Sequence, residues 1–186
     1  MQSFKNFEKK ENKNSGWIKF EKGDTKIRLM TGYEPIGKHF DQTTSKSNIC
    51  VGQDNGCELN HKERFQVKYL AWAIDRKDQE LKLVELPYSV VAQIKDLADN
   101  EEYKFELLPE YDLTIKRTGE KLETEYKVIP ARQNTPVTPE EAEMLKDKKD
   151  PADIIQAMIE KSQKPQEVET KVEYAGEEID PEKIPF

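Results

Sequence analysis

A chain of 186 residues is long enough for one domain and an appendage, yet 36% charged against 35% hydrophobic side chains leaves too little apolar material to pack it throughout. It has no apolar run of eighteen residues, the opening MQSFKNFEKKENKNSG lacks the apolar stretch of a secretion signal, and the two cysteines then point to a reducing, cytoplasmic compartment. The net charge of −7 is lopsided: residues 1–132 carry 23 basic and 23 acidic groups, residues 133–186 carry 7 and 14, and residues 1–30 alone carry 8 and 4. That asymmetry suggests a binding domain joined to an acidic tail.

Residues 1–15 are polar and Lys/Asn-rich without periodicity, and are expected to form a flexible basic arm. A strand signal runs over 17–30, broken at Gly23-Asp24, with Ile27 and Leu29 on one face and Lys26 and Arg28 on the other. Residues 41–62 form a long polar loop. The segment 65–74 is apolar on both faces, as a central strand would be, and the turn Asp75–Gln79 leads into a strand over 80–86. Pro87 opens an amphipathic helix over 88–99 with Val90, Val91, Ile94 and Leu97 at helical spacing. Strands over 111–117 and 122–129 follow, joined by a turn at Gly119.

Five strands with a helix between the third and fourth match the OB-fold order, so a mainly β, five-stranded OB barrel is expected over residues 16–132. A five-stranded sandwich piece would give the same strands without needing the helix. Beyond Pro130, Thr138-Pro139-Glu140-Glu141 has the cap, the proline and the glutamate of a helix start, and Asp150-Pro151 begins a second short helix with Ile155, Met158 and Ile159 on one side. These short C-terminal helices, residues 133–162, are expected to bracket the barrel. Residues 163–186 read as a disordered acidic tail, with seven acids against one lysine between Glu167 and Glu182.

Three features carry chemistry. The acidic tail ends in Ile184, Pro185 and Phe186, two large apolar side chains on a solvated linker, which favours a pocket on a partner; the proline lowers the ordering cost of docking. His39, Cys50, Cys57 and His61 are the only histidines and cysteines in the chain, lie within 23 residues and are spaced H-x10-C-x6-C-x3-H, a donor set suited to one tetrahedral Zn²⁺. The alternatives are free thiols with surface histidines, or a Cys50–Cys57 disulfide, which a cytoplasmic compartment disfavours. Thirdly, aromatic and basic residues interleave at Trp17 with Lys19, Lys26 with Arg28, Lys68 with Trp72 and Arg76, and Lys116 with Arg117. Single strands are held by a cationic groove and by aromatic platforms on which bases stack. Core packing is the competing fate for each aromatic, with Phe20, Leu113 and Val128 plausible core members. No P-loop, dinucleotide glycine fingerprint or Ser/His/Asp pattern is present, so no enzyme is expected.

The tail EEIDPEKIPF resembles the acidic tail and Ile-Pro-Phe tip of bacterial single-stranded DNA-binding proteins. The segments AWAIDRKDQELKLVELP and YDLTIKRTGEKLETEYKVIPA resemble phage single-stranded DNA-binding proteins, a likeness spanning residues 15–132. The resemblance implies an OB-fold clamp that coats single-stranded DNA in replication, recombination or repair, in the host cytoplasm if phage-encoded, and a tail that recruits replication or repair proteins. T-even phage members of that family hold zinc with one His and three Cys. This chain departs from the pattern, with two Cys and Asn60-His61 where another Cys would stand. Two rival readings stay open: an OB-type RNA-binding module, and a protein–protein adaptor that binds no nucleic acid.

Overall fold

The computed structural model describes residues 16–41, 46–52, 57 and 65–163. The basic arm, His61 and the tail with Ile184, Pro185 and Phe186 lie outside the described residues. The strands are β1 Trp17–Ile18, β2 Gly23–Leu29, β3 Glu34–Asp41, β4 Lys46–Ile49, β5 Phe65–Asp75, β6 Glu80–Pro87, β7 Leu113–Thr118 and β8 Glu125–Pro130; β7 begins in alternation, buried and less buried, whereas β5 and β6 hold runs buried on both faces. The helices are α1 Tyr88–Ala98, α2 Pro139–Lys146 and α3 Pro151–Gln163. None of the described helices is long and apolar enough to cross a membrane.

Two departures from expectation concern the strands. The expected strand over 17–30 is split, with β1 pairing parallel to β6 and β2 pairing elsewhere. The region before and within the expected polar loop contains β3 and β4, an antiparallel ladder that pairs His39 with Asn48. Near the other end, Gly119 (φ +70°) turns the chain into a 3-10 turn at Lys121–Glu123 before β8; a Cβ on Gly119 would lie 1.9 Å from the Glu123 carbonyl oxygen.

The sheet runs β1-β6-β5-β2-β7-β8, with β3 also on β5 and β4 outside β3. Long β5 is shared: its first half pairs with β3 (Phe65 with His39, Leu70 with Glu34) and its end with β2 (Ala73 with Leu29, Asp75 with Ile27). The result is an open mixed sheet with a few short helices, not the closed five-stranded barrel expected. Closure would require β8 to pair with β6, whose outer edge is partly taken by β1. Instead α1 packs against both, and its Gln93 occupies the outer edge of β8: Nε2 donates to the Tyr126 carbonyl (2.9 Å) and Oε1 accepts from the Val128 N–H (3.0 Å). One side-chain amide thus substitutes for a neighbouring peptide and blunts the edge.

Two apolar layers lie on opposite faces of β5. Ala71 and Ala73 face inward, with Ile27, Leu113, Ile115 and Val128 of the sheet and Val90, Val91 and Ile94 of α1. Burial of each such aliphatic side chain contributes about 1.5–3 kcal/mol, which is what holds α1 on the sheet. Leu70, Trp72 and Ile74 face outward with Met30 and Leu83, and are covered by Leu145 of α2 and by Ile154 and Ile155 of α3. The helix start at Thr138 carries the capping box expected from its spacing: Glu141 N–H donates to Thr138 Oγ1 (3.2 Å) and Thr138 N–H to Glu141 Oε2 (3.0 Å).

Candidate functional site

The residues expected to contact single strands fall into two groups. Trp72 is only 9% exposed and belongs to the outer apolar layer; its indole N–H donates to the Lys149 carbonyl (2.9 Å), and the Lys148 ammonium stands 5.7 Å from the ring centroid. Trp17 is half-buried against the same layer. Trp72 therefore joins sheet to helices and is not an open platform, while Trp17 packs on the same layer and stays partly exposed.

Arg28, expected on a solvated face beside Lys26, is 1% exposed. Its Nε donates to Asp112 Oδ1 (3.0 Å) and its Nη2 to the Thr135 carbonyl. Arg76 donates to the same Asp112 oxygen through Nε and Nη2 (3.0 Å each) and pairs through Nη1 with Glu141 and Gln79. These two arginines are spent inside an ion network, so neither is available to a phosphate in this arrangement. Burial disfavours a charge on Asp112, but the Arg76 and Arg28 hydrogen bonds outweigh it and hold the carboxyl below the usual range. Glu141 behaves likewise: burial opposes its charge, while Arg76 and the Thr138 N–H win and lower its pKa.

Lys68 is half-buried, and desolvation lowers its pKa against the opposing pull of Glu85. Arg117 is half-buried too; its Nη1 donates to the Phe20 carbonyl (2.9 Å), and its buried Nε has no hydrogen-bond partner among the described residues. Lys19, Lys26 and Lys116 remain exposed, although Lys26 also approaches Asp112 at 3.3 Å.

The β2–β7–β8 register shows what those exposed lysines share. Asp24, Lys116 and Lys127 form one cross-strand row, and Lys26, Thr114 and Ile129 the row two residues along. The intervening row of Thr25, Ile115 and Val128 turns inward, where Ile115 and Val128 join the core. Lys116 and Lys127 thus stand directly opposite each other on an exposed face, a like-charge pairing that is unfavourable in itself. Lys127 went unnoticed in the sequence because its partner becomes visible only with the register.

The exposed aromatics were also missed. Tyr33 is 53% exposed and meets Tyr69 edge to face, with centroids 5.2 Å apart. Tyr88, at the start of α1, is 69% exposed. Alternation of Phe65, Val67 and Tyr69 is the signal that could have marked this side of β5.

The His/Cys group is brought together by the β3–β4 ladder. His39 sits on β3; Cys50 follows β4, its N–H donating to the Gly37 carbonyl (2.9 Å). The Cys57 N–H donates to the Gly52 carbonyl (3.0 Å), which folds the second thiol back onto the first. Cys57 Sγ lies 3.5 Å from His39 Nε2 and 3.8 Å from Cys50 Sγ, and the three ligand atoms are within 4.8 Å of one another. The packing is close: a Cβ on Gly37 would fall 2.8 Å from the Phe65 ring and 3.2 Å from Cys50 Cβ, and Phe65 tilts over His39 at 5.3 Å. Burial raises the Cys50 thiol pKa, opposed by the Gly52 N–H. The two sulfurs stand 3.8 Å apart, well beyond the roughly 2.05 Å of a disulfide bond, so this structure does not show the disulfide alternative. The group could hold a metal ion; His61, the expected fourth ligand, lies outside the described residues. Comparison with protein-family models, with curated proteins and with solved structures yields no match.

Proposed function

We propose that the chain is a non-enzymatic protein that binds single-stranded DNA without sequence preference, on an OB-type scaffold whose closing strand pair is replaced by α1. The observation that carries the reading is the bare lysine face of β2–β7–β8. Lys26, Lys116 and Lys127 project there with Asp24 and Glu125 on the same face and with Lys26 also 3.3 Å from Asp112, and the Lys116–Lys127 repulsion would be relieved by a phosphate. Tyr33, 53% exposed and edge to face with Tyr69, offers stacking surface worth ~1–3 kcal/mol per base on the opposite face of β5 from the lysines. Lysine–phosphate contacts and aromatic stacking do not read base edges, so binding would be sequence-independent.

The metal ion is proposed as zinc. Zn–S bonds of about 2.3 Å and a Zn–N bond of about 2.0–2.1 Å at tetrahedral angles place S and S about 3.8 Å apart and S and N about 3.5 Å apart. The spacings here are 3.8 and 3.5 Å, and His61 would complete the set. Its role would be structural, fastening the β3–β4 extension. The Ile184-Pro185-Phe186 tip would recruit replication or repair proteins in a phage-type system. The test is anisotropy of labelled oligo-dT and oligo-U of equal length, with duplex as competitor. Preference for oligo-dT over both supports the reading; preference for oligo-U transfers it to RNA, and no binding of either rejects it.

A further inference from the structure

We infer that α2 and α3 form a displaceable lid over a second stretch of the single-strand surface, with the Arg76–Glu141 ion pair as its latch. This rests on the single-strand reading above. The outer face of the sheet is continuous: Arg28 of β2 is level with Ile74 of β5, and Trp72 of β5 with Leu83 of β6. Part of it, over β7, β8 and the start of β2, carries the exposed lysines, while at Arg28 it is covered by Asp112 and Thr135. Another part, over β5 and β6, lies under the two helices. In OB-type domains the face of the second and third strands is the one that engages oligonucleotides, and in this topology those strands are β5 and β6.

The part under the helices has the make-up of a stacking groove, an aromatic ring with a guanidinium at its border: Trp72 and Arg76. What occupies it resembles a substitute for nucleic acid. The Glu141 carboxylate meets Arg76 as a phosphate oxygen would, and Lys148 and the Lys149 carbonyl occupy the ring and N–H of Trp72. The cover is thin. Leu145, Ile154 and Ile155 are only half-buried, Met144 is exposed, and a cleft of about 510 Å³ lined by Leu81, Met144 and Lys148 opens between α2 and the β5–β6 hairpin. Arg76 keeps Asp112 when the latch opens, so the sheet does not depend on Glu141.

Apparent affinity falls in proportion to the fraction of molecules with the lid open, so loosening the latch must raise it. Two full-length variants test this. Glu141→Gln removes the charge, while glutamine at this position still serves the capping box and preserves α2. Leu145→Ser removes an apolar contact made by the lid alone. Oligo-dT affinity and acrylamide quenching of tryptophan emission are read together. The expected result is about fivefold tighter binding in either variant, with stronger quenching of the free protein. Unchanged or weaker binding by variants whose tryptophans have become accessible overturns the lid and leaves the single-strand reading standing. Unchanged quenching and affinity in both variants overturns the latch. No binding by wild type or variants overturns both proposals.

Discussion

Asp112 is the residue on which the largest stability change is expected. Its buried carboxylate receives Arg28 and Arg76 at 3.0 Å and Lys26 at 3.3 Å. Asp112→Asn keeps the shape and deletes the charge, leaving Arg28 with the Thr135 carbonyl and Arg76 with Glu141 and Gln79. Removing one partner of a buried pair costs about 3–5 kcal/mol, because the orphaned cation stays desolvated. In a chain of this size each kcal/mol moves the midpoint by about 2–4 °C, so the variant should melt about 6–20 °C lower at pH 7. The pH dependence follows from the depressed carboxyl pKa. The stabilisation is complete above the unfolded value, 3.8, and is lost as pH falls through the lower folded value, so the two melting curves should converge in acid. Lys26→Ala, at the exposed corner of the network, should cost less than about 1 kcal/mol. Calorimetric melts across pH measure all of this. A midpoint for Asp112→Asn within about 2 °C of wild type at pH 7 would refute the reasoning.

The lysine row predicts that Lys116→Glu with Lys127→Glu weakens every single strand about equally and flattens the salt dependence; selective loss of one sequence would mean base-edge readout. Arg28→Glu is unsuited to that test, since it places an unpaired charge in the core. Purified without chelator, the protein should carry about one zinc per chain, and Cys50→Ser with Cys57→Ser should abolish it while α1 and the inner core stay folded, as metal analysis and circular dichroism would report. Removing residues 164–186 should raise single-strand affinity at low salt, the gain shrinking as salt screens the acids, whereas removing only Ile184-Pro185-Phe186 should leave DNA binding unchanged and abolish capture of replication partners in pull-downs.

What the sequence made legible was local. The β5–β6 hairpin, α1 and the capping box at Thr138 all rest on interactions within a few residues, and each is found where its spacing placed it. The grouping of His39, Cys50 and Cys57 was readable from their clustering in one stretch of chain, 18 residues from first to last. β3 was not, because Pro35 and Gly37 look like strand breakers. Pairing with β5 overrides that preference, and Gly37 is required by the nearness of Phe65 and Cys50. The fates of Trp72 and Arg28 depend on partners 77 and 84 residues away, Lys149 and Asp112, and no periodicity encodes such distances. The open ends of the sheet were not legible either: β1 lies along β6, and nothing about Gln93 in an amphipathic helix announces that its amide will bond the backbone of β8.

The central claim is tested most directly by titrating labelled oligo-dT into the full-length protein at two or more salt concentrations. Three lysine–phosphate contacts at Lys26, Lys116 and Lys127 predict that log affinity falls against log salt with a slope of about −2, since each contact to a single strand contributes about −0.7. A slope of that size or steeper, with duplex DNA competing poorly, is the predicted result. Binding that ignores salt, or no binding at the lowest salt, would contradict the account.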